Sequence, residues 1–181
     1  MRVEILDHQP DWPERFLHLA SRIRVALGAR ATAIHHIGST SVPGLAAKDV
    51  IDIQVSVEDL HPLMPLREAL VSEGWTFMDD NDDHRKWFFH LDAPDGRRLS
   101  NLHVRRYGEF SQQAALLFRD HLRDVPDARL RYERTKRELA TRDWPTIEDY
   151  AIAKGDCVWA LLREADVRSF TTGWQPSPSE A

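Results

Sequence analysis

The chain has 181 residues, 42% apolar and 29% charged, with a formal net charge of -5. These values fit one globular domain of ordinary core size and argue against two full-sized domains, a disordered chain or a globally basic nucleic-acid binder. A single cysteine, Cys157, excludes an internal disulfide and a cysteine-rich zinc site. No apolar run approaches the ~20 residues of a membrane helix. The start, MRVEILDHQPDWPERF, lacks a basic stretch followed by an apolar one, so the expectation is a cytoplasmic protein without a secretory leader, an oxidising compartment or a membrane partner.

In chain order, DWPERFLHLASRIRVAL opens with Asp11 as N-cap and Pro13 in the first turn, and Phe16, Leu19, Ala20, Ile23 and Leu27 follow helical spacing, which predicts an amphipathic helix over 11–27. ATAIHHIG is short, partly β-branched and ends in glycine, so it reads as a strand. DVIDIQVSV is the clearest strand: Ile51, Ile53, Val55 and Val57 point one way, and Asp52, Gln54 and Ser56 point the other, toward an open and at least partly polar face. EDLHPLMPLREALVSEG reads as a helix ending at Gly74, with Pro62 and Pro65 confining its regular part to the later turns. WTFMDD, KWFFHLDA and LSNLHVRRY read as antiparallel strands, separated by the polar break NDDHR and a Pro-Asp-Gly hairpin turn.

After Tyr107 the period changes. SQQAALLFRDHLRDV, PDARLRYERTKRELA and TIEDYAIAKGDCVWALLREADV all show helical spacing, separated by Pro126 and by Asp-Trp-Pro at 143–145. The expected organisation is an α/β core over 1–108, a helical layer of the same domain over 109–170, and a loosely ordered tail over 171–181, where TTGWQPSPSEA is rich in small residues and proline. Trp75, Trp87, Phe88, Phe89, Phe118 and Trp159 are read as core residues.

Within HHIGSTSVPGLAAKDVIDIQVSV, a Gly-Ser turn leaving a strand can present backbone N–H groups and a hydroxyl to phosphate, because glycine allows close approach. A carboxylate on the following strand can hold Mg²⁺ against the same phosphates. The plainer alternative makes Gly38 and Gly44 turn residues and leaves Asp52 facing solvent or an arginine. Residue types alone leave both open.

HIGSTSVPGLAAKDVIDIQVSV closely resembles the signature of the GrpB family. QPDWPERF, RKWFF, the LHV strand, LLFRDHLR, YERTKRELA and Lys154 resemble further features of that family in the same order, so the likeness spans roughly 8–165. The family also resembles a domain fused to some dephospho-CoA kinases. It is similar in turn to the nucleotidyltransferase superfamily, which implies an α+β fold with a nucleotidyltransferase-like mixed sheet, flanking helices and a C-terminal helical layer. That resemblance further implies acids holding two divalent ions, Mg²⁺ or Mn²⁺, for transfer of a nucleotidyl group from a nucleoside triphosphate to a small acceptor. By position, Gly38 and Ser39 match the turn and Asp52 the first acid, whereas Gln54 stands where the second acid would be.

The candidate catalytic residues are therefore Asp52 and His103, with Gln54 completing the candidate metal set. His103 lies on the strand where a third acid would be sought, beside Asn101 and Arg105. Thr40, Lys48, Arg85, Lys86, Arg105 and Lys154 join Gly38 and Ser39 as candidate phosphate contacts, and His36, Gln54 and Asn101 as candidate substrate contacts. His36 can instead be structural, orienting the loop, and Lys154, near an apolar helix face, can either reach a cleft or extend outward. Asp49 is set aside because it faces away from Asp52. The functional expectations are a metal-dependent nucleotidyl transferase, a catalytically inactive module binding a nucleotide or CoA-like ligand, or a protein-interaction domain; no nucleic-acid partner is expected.

Overall fold

The computed structural model describes residues 1–79 and 85–181; most of the polar break NDDHR lies outside them. Helix α1 (Trp12–Leu27) leads into β1 (Ala33–Ile37), then β2 (Ile51–Val57), α2 (Met64–Ser72), β3 (Thr76–Phe77), β4 (Lys86–Asp92) and β5 (Arg98–Arg106). Helices α3 (Phe110–Asp124), α4 (Pro126–Ala140), α5 (Ile147–Ala153) and α6 (Gly155–Thr172) complete the chain. The strands form one mixed five-stranded sheet in the order β1-β2-β5-β4-β3. Among the described strands the central β2–β5 pairing is parallel; β4 pairs antiparallel with both β3 and β5, as the hairpin signal predicts.

The apolar face follows from period two. Ile51, Ile53, Val55 and Val57 of β2, with Phe89, Leu102 and Val104 of the neighbouring strands, are buried against Trp12, Phe16, Ala20, Ile23 and Leu27 of α1 and Leu66 and Leu70 of α2. Each large side chain removed from water here stabilises the fold by roughly 1.5–3 kcal/mol, so this layer carries most of the core energy. No helix of the described residues is long and apolar enough to cross a membrane.

The opposite face of β2 is not open along its whole length. Gln54 and Ser56 are fully buried beneath α3, where Gln54 Nε2 donates to the Gln112 carbonyl (3.1 Å) and Gln112 Nε2 donates to Ser56 Oγ (3.3 Å). A strand face that alternation marks as polar is thus roofed by a helix, which is tolerable because the amides satisfy one another. Only the Asp52 end of that face stays accessible.

Two further expectations change. The long helical pattern from Thr146 onward is broken at Lys154, which ends α5 and begins α6; Thr146 and Asp149 form a reciprocal capping box that fixes where α5 starts. The segment expected to be a loose tail continues α6 to Thr172 and then runs along β1. There Glu180 N donates to the Ile34 carbonyl (2.9 Å), His36 N donates to Glu180 Oε2 (2.7 Å), and Ala181 packs on the core. The outer edge of β1 offers unpaired backbone groups, and this segment takes them up. Trp159, read as core, is 55% exposed.

Candidate phosphate-binding site

The polypeptide turns sharply after β1. Gly38 adopts φ 69°, and a Cβ on it would stand 2.4 Å from Asp52 Oδ2, so this position requires glycine on two counts. Ser39, Thr40 and Ser41 then form a single 3-10 turn. The loop beyond it is fastened from several directions. Arg123 Nε donates to the Ser41 carbonyl (3.0 Å), and Ala47 pairs with Leu6 through two backbone hydrogen bonds. From α4, Glu133 accepts the Ala46 N–H (3.3 Å), while the Lys136 ammonium donates to the Ala46 carbonyl. Val42 and Leu45 sit in a second apolar cluster with Leu122, Ala128, Tyr132 and Leu161.

These contacts enclose a cavity of about 230 Å³ between the Gly38–Thr40 turn, the ends of β2 and β5, and helices α3 to α5. It brings together Gly38, Ser39, Thr40, Lys48, Asp52, Asn101, His103 and Lys154 of the sequence-predicted set. The β2–β5 register explains the grouping: Asp52 pairs with Asn101 and Gln54 with His103. Asn101 Nδ2 donates to Asp52 Oδ1 (2.9 Å). Burial raises the Asp52 carboxyl pKa; Asn101 and the positive charges of Lys48, Lys154 and Arg105 oppose that rise.

Other candidates stand elsewhere. Gln54 does not line the cavity: its amide is spent on Gln112 and on the Arg105 guanidinium, which donates to Oε1. Arg105, held on Gln54, is not among the residues lining the cavity. Lys86 lies over the Phe88 ring (5.6 Å), and neither it nor Arg85 is among the residues lining the cavity. His36 is buried, stacked on Phe16 at 4.8 Å, with its Nε2 2.9 Å from Thr40 Oγ1, so it orients the loop from behind. Burial, with Arg123 and Arg119 nearby, pushes its pKa down to about 3. His103 reaches the cavity beside Phe88, and burial together with Arg105 and Lys86 holds it well below the ordinary imidazole range, hence neutral. Asp49 faces away, bonded to Trp12 Nε1 and Arg15.

The structure adds residues that the sequence reading passed over. Tyr132 and Lys136, four apart on α4, and Tyr150 on α5 line the same cavity. The Tyr132 hydroxyl is hydrogen bonded with Ser39, and burial pushes its pKa up to about 12. Burial, with the charge of Lys154 acting in the same direction and Glu133 opposing, brings Lys136 down to about 7. Lys48 and Lys154 lie over the Tyr150 ring at 5.9 and 4.9 Å, and burial lowers the pKa of both while Asp52 raises them. Helical spacing four apart was the available signal for Tyr132 and Lys136; nothing local marked which way that face points. Deeper on α3, Arg119 is fully buried and donates to the His36 carbonyl (3.0 Å), Ser177 Oγ and Glu180.

A pair of divalent ions needs several oxygen donors of negative charge. Among the described residues, Asp52 is the carboxylate lining this cavity, and no group of three or more His, Cys, Asp or Glu side chains is placed to hold a metal. With Gln54 turned away and lysines around Asp52, the described donor set does not fit a two-metal centre. It fits an anion: hydroxyls of Ser39 and Tyr150, the turn backbone, and the ammonium groups of Lys48, Lys136 and Lys154.

Comparison with known proteins places the chain. The family model described as GrpB protein matches residues 2–164. A UPF0157 protein of Streptomyces coelicolor is 38% identical, covering 91% of this chain and 85% of the relative. A dephospho-CoA kinase of Mycolicibacterium paratuberculosis is 34% identical over 96% of this chain, which spans only 48% of that protein. The crystal structure of the conserved protein GrpB from Enterococcus faecalis superposes with TM-score 0.83 at 27% identity, covering 92% of this chain and 99% of the other. A solved structure of Cid1, described as having RNA terminal uridylyl transferase activity, matches with TM-score 0.50 at 18% identity, over 77% of this chain and 44% of Cid1, a likeness of fold alone. With its family signature matched over nearly the whole length and a nucleotidyltransferase-like sheet beneath it, the chain belongs to the GrpB family.

Proposed function

We propose that this chain is a nucleotide-binding protein whose cavity takes the polyphosphate end of a nucleoside triphosphate or CoA-like ester. The observation that carries this reading is the convergence of Lys48, Lys136 and Lys154 with Ser39 and Tyr150 on the Gly38 turn, around a single described carboxylate. Ammonium groups and oriented hydroxyls hold phosphate oxygens by charge-assisted hydrogen bonds, which are worth about 1.5–3 kcal/mol each. The fastened loop supports binding because little order has to be created when the ligand arrives. The test is a calorimetric screen of nucleoside triphosphates and CoA esters. Saturable binding is expected, weakened about tenfold or more in Lys154→Met. A flat screen with every ligand class would sink the reading.

A second reading, nucleotidyl transfer to a small acceptor, is favoured by the placement of Asp52 directly against the Gly-Ser turn, as the superfamily resemblance implies. It predicts pyrophosphate release from a triphosphate and acceptor pair, assisted by Mg²⁺ or Mn²⁺. Binding without such release in an acceptor screen leaves the binding module as the better account.

A further inference from the structure

We infer that the cavity receives its polyphosphate ligand as the metal-free anion, with Lys48 and Lys154 supplying the positive charge that divalent ions would otherwise bring. The inference rests on the nucleotide-binding reading above.

The charges decide it. Asp52 Oδ1 is taken by Asn101, and Oδ2 lies against Gly38, at 2.4 Å from where a Cβ there would stand. A metal approaching this carboxylate would compete with the Asn101 hydrogen bond at one oxygen and with Gly38 packed against the other, in the field of the Lys48 and Lys154 charges. Lys136 is already committed to the Ala46 carbonyl. Lys48 and Lys154 are different: among the described residues their ammonium groups make no hydrogen bond or ion pair and rest only on the face of Tyr150. The Tyr150 hydroxyl, buried in the same wall, also has no hydrogen-bond partner among the described residues. A buried hydroxyl left unpartnered is costly and uncommon, and this one stands in the same wall as two ammonium groups that the described residues leave unpaired. Two uncommitted cations and a donor hydroxyl around one acid make a site that prefers a multiply charged anion. The same anion complexed with Mg²⁺ would carry less charge and present a cation to the lysines.

The nearby carboxylate makes the inference unusually easy to separate from a metal site, because removing it acts in opposite directions. The experiment is titration calorimetry with ATP and with inorganic tripolyphosphate, each in EDTA and in excess Mg²⁺, on the wild type and on Asp52→Asn, Lys48→Met, Lys154→Met and Lys154→Arg. ATP is expected to bind in EDTA, and Mg²⁺ is expected to weaken that binding or leave it unchanged. Either methionine substitution should weaken it about tenfold or more, while Lys154→Arg, which keeps the charge, should retain most of it and so distinguish lost charge from a damaged fold. Asp52→Asn should tighten EDTA binding severalfold by removing the one described like charge at the anion. Binding that requires Mg²⁺ and disappears in Asp52→Asn would overturn the inference while leaving nucleotide binding in place. Silence of both probes in both conditions would overturn the inference and the nucleotide-binding reading together.

Discussion

The two faces of β2 are built from one seven-residue strand and solve opposite problems. One face holds Ile51, Ile53, Val55 and Val57 against α1 and α2, where stability comes from apolar area and shape. The other holds Asp52, Gln54 and Ser56, where every buried group needs a named partner, and the strand passes from cavity wall to sealed interior within a single side-chain repeat. Asp52 faces lysines and a turn; Gln54, two residues on, faces a helix backbone. Alternation therefore sets which residues share a face, but what covers the face sets their chemistry.

This contrast can be broken at its strongest point by emptying the apolar face. Leu102→Ala, at a position with no exposure, should cost about 2–5 kcal/mol in chemical denaturation, with ligand affinity preserved in the fraction that folds. Gly38→Ala attacks the hinge between β1 and the cavity. Its positive φ and its clash with Asp52 predict a loss of about 1–3 kcal/mol or more, and here affinity for nucleotide should fall along with stability.

Gln54→Glu asks whether the polar face can be turned into a catalytic one. The substitution removes the donor to the Gln112 carbonyl and sets a carboxylate against it, with the Arg105 contact favouring the charge. A destabilisation of about 1–3 kcal/mol is expected, without any gain of pyrophosphate release; a gain would show that the position communicates with the cavity after all.

The smallest effect is read from pH. His36 has a folded pKa near 3, below its ordinary value of 6.5, so between those values the unfolded chain binds the proton and the folded chain does not. Stability should fall as pH drops through that window, and the acid limb should be shallower in His36→Gln, monitored by denaturation midpoints across the range. An unchanged slope would mean that other groups, among them the depressed histidines His35 and His103 and the depressed carboxyls of Asp49 and Glu164, account for the limb.

Much of this architecture was readable in advance because it is local. Period two placed Ile51 to Val57, Pro13 and Asp11 opened α1, and Pro-Asp-Gly turned β4 into β5. The Gly38–Thr40 turn, Lys48, Asp52, Asn101, His103 and Lys154 were legible as a group through a short motif and its resemblance. What escaped depends on contacts far apart in the chain. Gln54 is sealed by Gln112, 58 residues away, and Lys136 reaches a carbonyl 90 residues away. The tail's composition suggested looseness, but Arg119, invisible as a buried cation in an amphipathic helix, holds Glu180 in place. Hydropathy ranks a side chain's cost in isolation and is silent about the partner that offsets it.

Lys154 shows how much can rest on a break in regularity. It sits at the junction where α5 stops and α6 begins, followed by Gly155, and its own backbone stays in the helical region at φ -79° and ψ -11°. A relative in which this stretch ran on as one unbroken helix would test whether the joint is needed to keep that ammonium in the cavity. On the proposed reading, continuity of the backbone at this single joint would then bear on whether such a relative grips an anion.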